Sequence, residues 1–256
     1  MIEDAQEIIL IFASIIEMKI ALFGYGKMGK VIEKIALERG HEISARVTSS
    51  APKESFDLTD TDAVIEFSRP ESALENIQFC LDNHLAVVVG TTGWYDHFEV
   101  LSAACSNSNG ALLHATNFSL GVNIYFEMNR KLAEIMNRYV DYEANVVEIH
   151  HTEKLDAPSG TGITICEDII QSTDQYGQWE NVKKSEISDS STLSIESERL
   201  PNVPGTHEVK WSSKIDTIEL THTAHSREGF GLGAVIGAEF LKKNKGIFTM
   251  RDVLKF

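Results

Sequence analysis

An apolar strand that runs straight into glycines spaced G-x-G-x-x-G, and from there into a helix, leaves a chain few folds to choose from. Residues 19–29 read KIALFGYGKMG. Ile20, Leu22 and Phe23 make the strand, and Gly24, Gly26 and Gly29 hold the spacing. Met28, Val31, Ile32, Ile35 and Ala36 then recur near helical spacing until Gly40 stops the pattern. The first glycine allows a tight turn, the second lets backbone approach a pyrophosphate, and the third lets helix and strand pack closely. Set between strand and helix near the start of the domain, the pattern predicts a dinucleotide-binding unit.

The next hundred residues continue the alternation. His41–Val47, Ala63–Phe67, Leu85–Val89 and Ala111–His114 read as strands, with helices over Glu71–Asn83 and from about Tyr95 to Ser106. Strands alternating with helices predict an α/β fold with a Rossmann-like, doubly wound parallel sheet. Ligands of such sheets bind at the carboxyl ends of strands. The loops expected there are Gly24–Gly29, Ser68–Pro70, Gly90–Gly93 and Asn117–Ser119. Any one of the last three, taken singly, reads equally as a turn of small residues. After a long helix expected over Gly121–Arg138 the rhythm changes. Val146–His150, Val182–Ile187, Ser190–Ser197, His207–Ser212 and Asp216–Ala224 read as strands, with Ser172–Gln178 and Pro201–Gly205 as exposed connections. They predict a second, α+β domain on an open mixed sheet, before a helix returns over Gly229–Lys243.

The chemistry concentrates in residues 146–162, VVEIHHTEKLDAPSGTG. A β-branched run ends in His150 and His151, a loop carries Lys154, and Ser159, Gly160 and Thr161 open a helix expected over Gly162–Ile170. Imidazole is the side chain most easily poised for proton transfer near neutral pH. An ammonium and the free N–H groups of a helix start both attract carboxylates. Each feature alone reads as ordinary polar structure. Their convergence on one connection, downstream of a cofactor signature, predicts a site that holds an anionic substrate and moves a proton onto it.

Charge and cysteine usage narrow the class. A formal net charge of −15 argues against nucleic acid as a partner, which would want a basic face. Cys80, Cys105 and Cys166 are widely spaced, with no disulfide framework and no metal-ligand spacing, so they read as buried thiols of a reducing compartment and no metal is expected. No apolar stretch is long enough to span a membrane. Residues 1–17 carry Glu3, Asp4 and Glu7 where a secretory signal would be positive. They read as an added helix or a translation-start artefact ahead of a fold that begins at Met18, and as dispensable.

Six segments together resemble one family. GYGKMG at 24–29, GTTG at 90–93, NFSLGVN at 117–123, HHTEKLDAPSGT at 150–161, VPGTHEV at 203–209 and HTAHSREGFGLGA at 222–234 are similar to the dihydrodipicolinate reductase family, also called 4-hydroxy-tetrahydrodipicolinate reductase. The resemblance covers nearly everything after Met18. It implies an enzyme of lysine and diaminopimelate biosynthesis that reduces 4-hydroxy-tetrahydrodipicolinate to tetrahydrodipicolinate with NADPH or NADH. By that resemblance His150 is the general acid and Lys154 the second catalytic cation. His151, Gly160 and Thr161 match contacts to the substrate carboxylate. Gly24, Tyr25, Gly26, Lys27, Met28 and Gly29, then Gly90, Thr91 and Thr92, then Ala115, Thr116, Asn117 and Phe118 match contacts to the cofactor. The resemblance further implies that the final helix returns to the first domain. The dinucleotide-binding domain then comprises 18–118 plus 230–256, and 119–229 is an inserted substrate-binding and oligomerisation domain. A cytoplasmic homotetramer joined through the second sheet is expected. Two other readings stay open on the residues alone: another two-domain dehydrogenase acting on an amino or keto acid, and a dinucleotide sensor without turnover.

The cofactor choice turns on the end of the second strand. NAD-binders usually carry an acid about twenty residues past the glycines, to hold the ribose hydroxyl. No acid stands between Ile43 and Lys53. Arg46, Thr48, Ser49 and Ser50 occupy that stretch and favour a 2′-phosphate, hence NADPH, with NADH still accepted. A further departure from the family pattern is Glu66, where an aspartate is common.

Overall fold

The computed structural model of the protein describes residues 17–256, so the extension expected over 1–17 lies, except for Glu17, outside the described residues. The described chain forms two units. One holds the residues up to Ala115 together with Phe230–Lys255, and the other holds Thr116–Gly229 and Phe256. The division after Ala115, rather than after Phe118, splits the stretch 115–118 expected to touch the cofactor.

The first unit opens with β1 (Lys19–Phe23), α1 (Lys27–Glu38), β2 (Glu42–Val47), β3 (Ala63–Glu66), α2 (Pro70–Asp82), β4 (Ala86–Val89), α3 (Phe98–Asn107) and β5 (Ala111–His114). Strands β3 and β4 are buried at every position, as continuous apolar runs covered on both faces should be. Glu66, at the end of β3, is buried too. Its carboxylate accepts from the Ser68 hydroxyl, from Ser68 N–H at 3.2 Å and from Asn76 Nδ2 at 3.3 Å.

The second unit begins with α4 (Leu120–Met136), which Ser119 caps. It continues with β6 (Glu143–His150), α5 (Gly160–Ser172), β7 (Gln178–Glu180), β8 (Thr192–Arg199), β9 (Thr206–Ser212) and β10 (Thr217–Thr223). The sheet runs β10-β9-β6-β8-β7 and is mixed: β6 is parallel to β8 and antiparallel to β9. Val146, Ile195, Val209 and Trp211 from the sheet and Ile165 from α5 are fully buried in the unit's core. One expectation is corrected. The strand expected over Val182–Ile187 is instead a single turn of 3₁₀ helix at Lys184–Glu186, and the sheet's edge strand is β7, which starts at Gln178, the last residue of the stretch read as an exposed connection. The reason lies in contacts distant in sequence. Tyr176 is buried and its hydroxyl accepts Ala144 N–H at 2.7 Å, Trp179 packs on the core, and Gln178 donates to Thr192.

The chain returns through α6 (Glu228–Leu241), β11 (Gly246–Phe248) and α7 (Met250–Leu254). Gly231 lets α6 lie on α1, since a Cβ there would sit 2.8 Å from Ile35 Cδ1. Arg39 donates to both Glu239 oxygens at 2.8 and 2.9 Å, and His41 Nε2 lies 2.9 Å from the same carboxylate. The first sheet is then six-stranded and parallel, in the order β11-β5-β4-β3-β1-β2. Strand β11 was not expected, because three residues after a lysine-rich turn carry no readable period. No described helix is long and apolar enough to cross a membrane.

Candidate active site

Strand β1 lies between β2 and β3, so the strand order of the first sheet reverses there. Open α/β sheets bind ligands in the crevice at such a switch. A cavity of about 500 Å³ occupies it, lined by Gly24–Gly26, by Val47–Ser49 and Lys53 after β2, and by Phe67–Arg69 after β3. The three motif glycines divide their work. Gly24 has φ +96°, and a Cβ on it would fall 2.3 Å from the Phe67 carbonyl oxygen. A Cβ on Gly29 would fall 2.4 Å from the Gly24 carbonyl oxygen. A Cβ built on Gly26 would meet nothing within 4 Å, so its backbone is bare on that side. Helix α1 follows without a side-chain cap, which leaves its first N–H groups for an anion.

The other cofactor-side residues fall around the same strand ends. Lys27, Met28 and Gly29 form the first turn of α1. Gly90, Thr91 and Thr92 follow β4. A Cβ on Gly90 would enter the Phe67 ring, and the buried Thr91 hydroxyl has no partner among the described residues. A bare glycine backbone, an uncapped helix and an orphaned hydroxyl fit a dinucleotide. Arg46 does not line the cavity. Its Nε donates to Glu33 Oε1 at 2.8 Å, its Nη2 also reaches Glu33, and it lies over the Tyr25 ring, whose hydroxyl bonds the same carboxylate. The guanidinium holds the Glu33 carboxyl below its usual range.

In the second unit the site is built around a residue that the sequence reading passed over. Ala144, Val146, Glu148 and His150 all point inward from β6. The register sets Arg199 of β8 beside His150, and His207 of β9 beside Glu148. Glu148 is fully buried. Its oxygens accept Ser159 N–H, at 3.0 Å to each, the Ser159 hydroxyl, and Arg199 Nη2 at 3.2 Å. His150 Nδ1 lies 3.7 Å and His207 Nε2 4.0 Å from Glu148 Oε2. Gly162 admits this packing, since a Cβ there would meet Oε2 at 2.9 Å. The spacing of Glu148, His150 and His207 resembles a ligand set for a metal. The carboxylate accepts from Ser159 and Arg199, and both imidazole nitrogens stand just beyond hydrogen-bond distance of it, so the trio is a buried charged cluster centred on Glu148.

Helix α5 starts at this carboxylate. Ser159 spends its N–H on Glu148, and its Oγ accepts Gly162 N–H at 3.0 Å. The Gly160 and Thr161 N–H groups have no partner among the described residues. No atom lies within 4 Å of a Cβ built on Gly160, so the helix start is open there. Lys154 Nζ bonds Asp156 Oδ2 at 2.9 Å, and Arg199 ties down the loop through the carbonyls of Lys154 and Asp156. Asn117 Nδ2 donates to Thr161 Oγ1 at 3.0 Å, Thr116 lies by Thr164, and Phe118 is buried. His151 is half-buried, with Nδ1 unpartnered.

Comparison with known proteins decides the family. A model described as "Dihydrodipicolinate reductase, N-terminus" matches residues 18–118, and one described as "Dihydrodipicolinate reductase, C-terminus" matches residues 121–254. The chain belongs to the dihydrodipicolinate reductase family. A 4-hydroxy-tetrahydrodipicolinate reductase of Christiangramia forsetii is 44% identical over 237 residues, which cover 93% of this chain and 98% of that protein. Among solved structures, a dipicolinate-bound dihydrodipicolinate reductase from Paenisporosarcina sp. TG-14 aligns with a TM-score of 0.73 at 21% identity, covering 93% of this chain and 99% of its own. An aspartate semialdehyde dehydrogenase II from Vibrio cholerae aligns with a TM-score of 0.53 at 12% identity, covering 89% and 99%. At those identities the structures speak for the fold. Membership of the dihydrodipicolinate reductase family makes the cofactor a pyridine nucleotide, and the cavity beside Gly26 fits one.

Three residues of this reductase's cluster were missed: Glu148, Arg199 and His207. A signal existed for Glu148, because a carboxylate in the inward row Ala144-Val146-Glu148-His150 has to be paired. Arg199 and His207 reach the site only through sheet register. Burial, with His150 beside it, pushes His207 down to about 3. Its unfolded value is near 6.5. The folded state therefore binds fewer protons between those values, and stability falls as pH is lowered from about 6.5 towards 3. The loss from such a group is at most about 1.4 kcal/mol per pH unit. Urea midpoints measured from pH 7 to pH 4 should show this slope, and His207→Gln should flatten it; an unchanged slope would assign the acid sensitivity elsewhere.

Proposed function

We propose that the protein reduces 4-hydroxy-tetrahydrodipicolinate to tetrahydrodipicolinate in lysine and diaminopimelate biosynthesis, using NADPH in preference to NADH. One observation carries the reading of the substrate side. The unspent N–H groups of Gly160 and Thr161 open the same helix whose cap, Ser159, shares the Glu148 carboxylate with the His150 imidazole. A carboxylate gripped at that helix start is held beside a proton donor. Lys154 and His151 add positive charge and a donor for the second carboxylate.

Loss of water from the substrate leaves a conjugated C=C–C=N system. The reduced nicotinamide, when bound, supplies hydride. Reduction builds negative charge on the ring, which needs a proton. His150 gives that proton, and Lys154 stabilises the charge as it develops. Gly24, Gly26 and the first turn of α1 would hold the pyrophosphate. Thr91 offers its hydroxyl to the same cofactor.

The test is a coupled assay with aspartate semialdehyde, pyruvate and the preceding synthase, following NADPH and NADH loss separately. Oxidation that depends on the synthase supports the reading, and none with either cofactor removes it. The NADPH preference is supported by Ser49 and Lys53 on the cavity wall and by the missing acid after β2. Arg46 enters with a complication, since Glu33 already occupies it. A 2′-phosphate must compete with that carboxylate. Arg46→Ala should lower kcat/KM for NADPH by about tenfold, the scale of one charged hydrogen bond, with NADH little changed. Glu33→Gln should raise the NADPH to NADH ratio. A ratio unmoved by both changes would assign the phosphate to Lys53 or the hydroxyls.

The reading extends to a homotetramer in the cytoplasm. Strand β10 is an edge of the second sheet and leaves Ile218 exposed, and open edges are templates for pairing. The three free, buried cysteines suit a reducing compartment.

A further inference from the structure

A proton donor has to carry a proton when its substrate arrives, and the surroundings of His150 work against that. Burial pushes its imidazole below the usual value; Glu148 opposes this, while Lys154 and Arg199 reinforce it and Asp156 offsets them in part. In the protein without its substrate His150 is neutral near pH 7. Its Nδ1 is buried without a hydrogen-bond partner, and the nearest carboxylate oxygen is Glu148 Oε2 at 3.7 Å. Nε2 lies beside Gly205, where a Cβ would stand 3.2 Å away.

We propose that Glu148 is the positioning residue for the proton donor: it holds His150 with Nδ1–H turned inward, and its charge lets Nε2 take up a proton from solvent as the dicarboxylate binds. The proposal rests on the functional reading above and adds a coupling to it. Two substrate carboxylates bring two negative charges next to Lys154 and the α5 start. They cancel the cations that reinforce burial in keeping His150 neutral, and add to the pull of Glu148 from behind. A small rotation of the ring closes the 3.7 Å gap to a hydrogen bond. The bookkeeping is simple. Neutral imidazole with Nδ1–H gains one proton at Nε2 on binding, and gives that proton to the reduced ring in turnover.

The neighbours on every side suit this assignment. Glu148 faces His150 from its own strand, Arg199 from β8, His207 from β9, and Lys154 and Asp156 from the loop, with His222 of β10 behind His207. His207 is the other imidazole in reach, with the ring centroids 5.1 Å apart. It is more deeply buried, and burial together with His150, His222 and Lys154 outweighs the opposing pull of Glu148, so it stays neutral while His150 titrates. Four donor contacts already on the Glu148 carboxylate keep it ionised, below the usual range. It is a fixed counter-charge.

The test is calorimetric. Dipicolinate is titrated into the cofactor-bound protein near neutral pH in buffers of different ionisation enthalpy. The slope against buffer enthalpy gives the protons taken up. About one proton per site is expected in the wild type, about one in His207→Gln, and close to none in His150→Gln and Glu148→Gln. No uptake in a wild type that binds dipicolinate and turns over would overturn this proposal and leave the functional reading standing. A wild type without turnover would instead remove the reading. Full uptake in either His150→Gln or Glu148→Gln also overturns it. Should Glu148→Gln fail to fold, ¹⁵N-histidine spectra of the wild type decide: dipicolinate should convert His150 to imidazolium with a strongly hydrogen-bonded Nδ1–H. An imidazole that stays neutral in the complex refutes the coupling. In folded Glu148→Gln the limb on which kcat/KM falls as pH rises should move to lower pH, which a purely structural role would not produce.

Discussion

His150→Gln and Lys154→Ala should each lower kcat by a factor on the order of 10² to 10⁴, the range for a positioned acid–base group. Melting temperature should barely move in either. The side chain of His150 is buried but its Nδ1 has no hydrogen-bond partner to lose, and Lys154 is paired with Asp156, a carboxylate that is mostly exposed. Exposed pairs contribute about 0–1 kcal/mol, so their loss leaves the fold in place. The two variants should differ in what else they change. Lys154→Ala removes a charge next to the bound carboxylates and should raise KM as well. His150→Gln keeps a hydrogen-bonding side chain of similar reach and should act mainly on kcat. Cofactor affinity should be unaffected in both, because Gly24, Gly26 and α1 are untouched. Steady-state kinetics with saturating cofactor separate these outcomes. Near-normal turnover in both would remove the proposed chemistry.

The same residues explain how far the sequence could be read. Local signals were sufficient wherever structure is decided locally. The strand, the glycine turn and the apolar stripe of α1 lie within twenty residues, and Ser159 caps a helix that starts beside it. Both belong to segments whose period and punctuation can be read directly. Pairing is a different matter. Arg199 and His207 reach Glu148 because β8 and β9 flank β6 in one register, and a slip of one residue would turn them away. No spacing along the chain encodes that. The shift of the edge strand to Gln178–Glu180 has the same origin: Tyr176 and Trp179 find partners on β6 and the core, whereas Val182 finds none of that kind. Arg46 is the instructive case at the cofactor end. Its position after the glycines was legible, but Glu33, thirteen residues earlier on α1, takes up its charge.

The motif glycines give the other large expected effect, and it separates folding from binding. Gly24→Ala should destabilise the protein by several kcal/mol, and the soluble yield should fall. Two costs combine. The backbone at φ +96° is strained for any L side chain, and a Cβ would stand 2.3 Å from the Phe67 carbonyl oxygen. That neighbour is backbone at the end of β3, so relief requires the strand end to move; strained backbone alone costs about 1–3 kcal/mol. Gly26→Ala should behave in the opposite way. Nothing lies within 4 Å of its Cβ position, and its φ of −87° suits any residue. The melting temperature of the free protein should stay within about 2 °C, less than a 1 kcal/mol change would give in a domain of this size. The added methyl group instead occupies the bare surface that a pyrophosphate would approach. The KM for both NADPH and NADH should rise by tenfold or more, and cofactor should no longer raise the melting temperature as binding to the native state otherwise does. A Gly26→Ala protein with normal cofactor KM would mean that the dinucleotide does not lie against this turn. A Gly24→Ala protein of normal stability would mean that the end of β3 yields far more readily than its buried strand suggests.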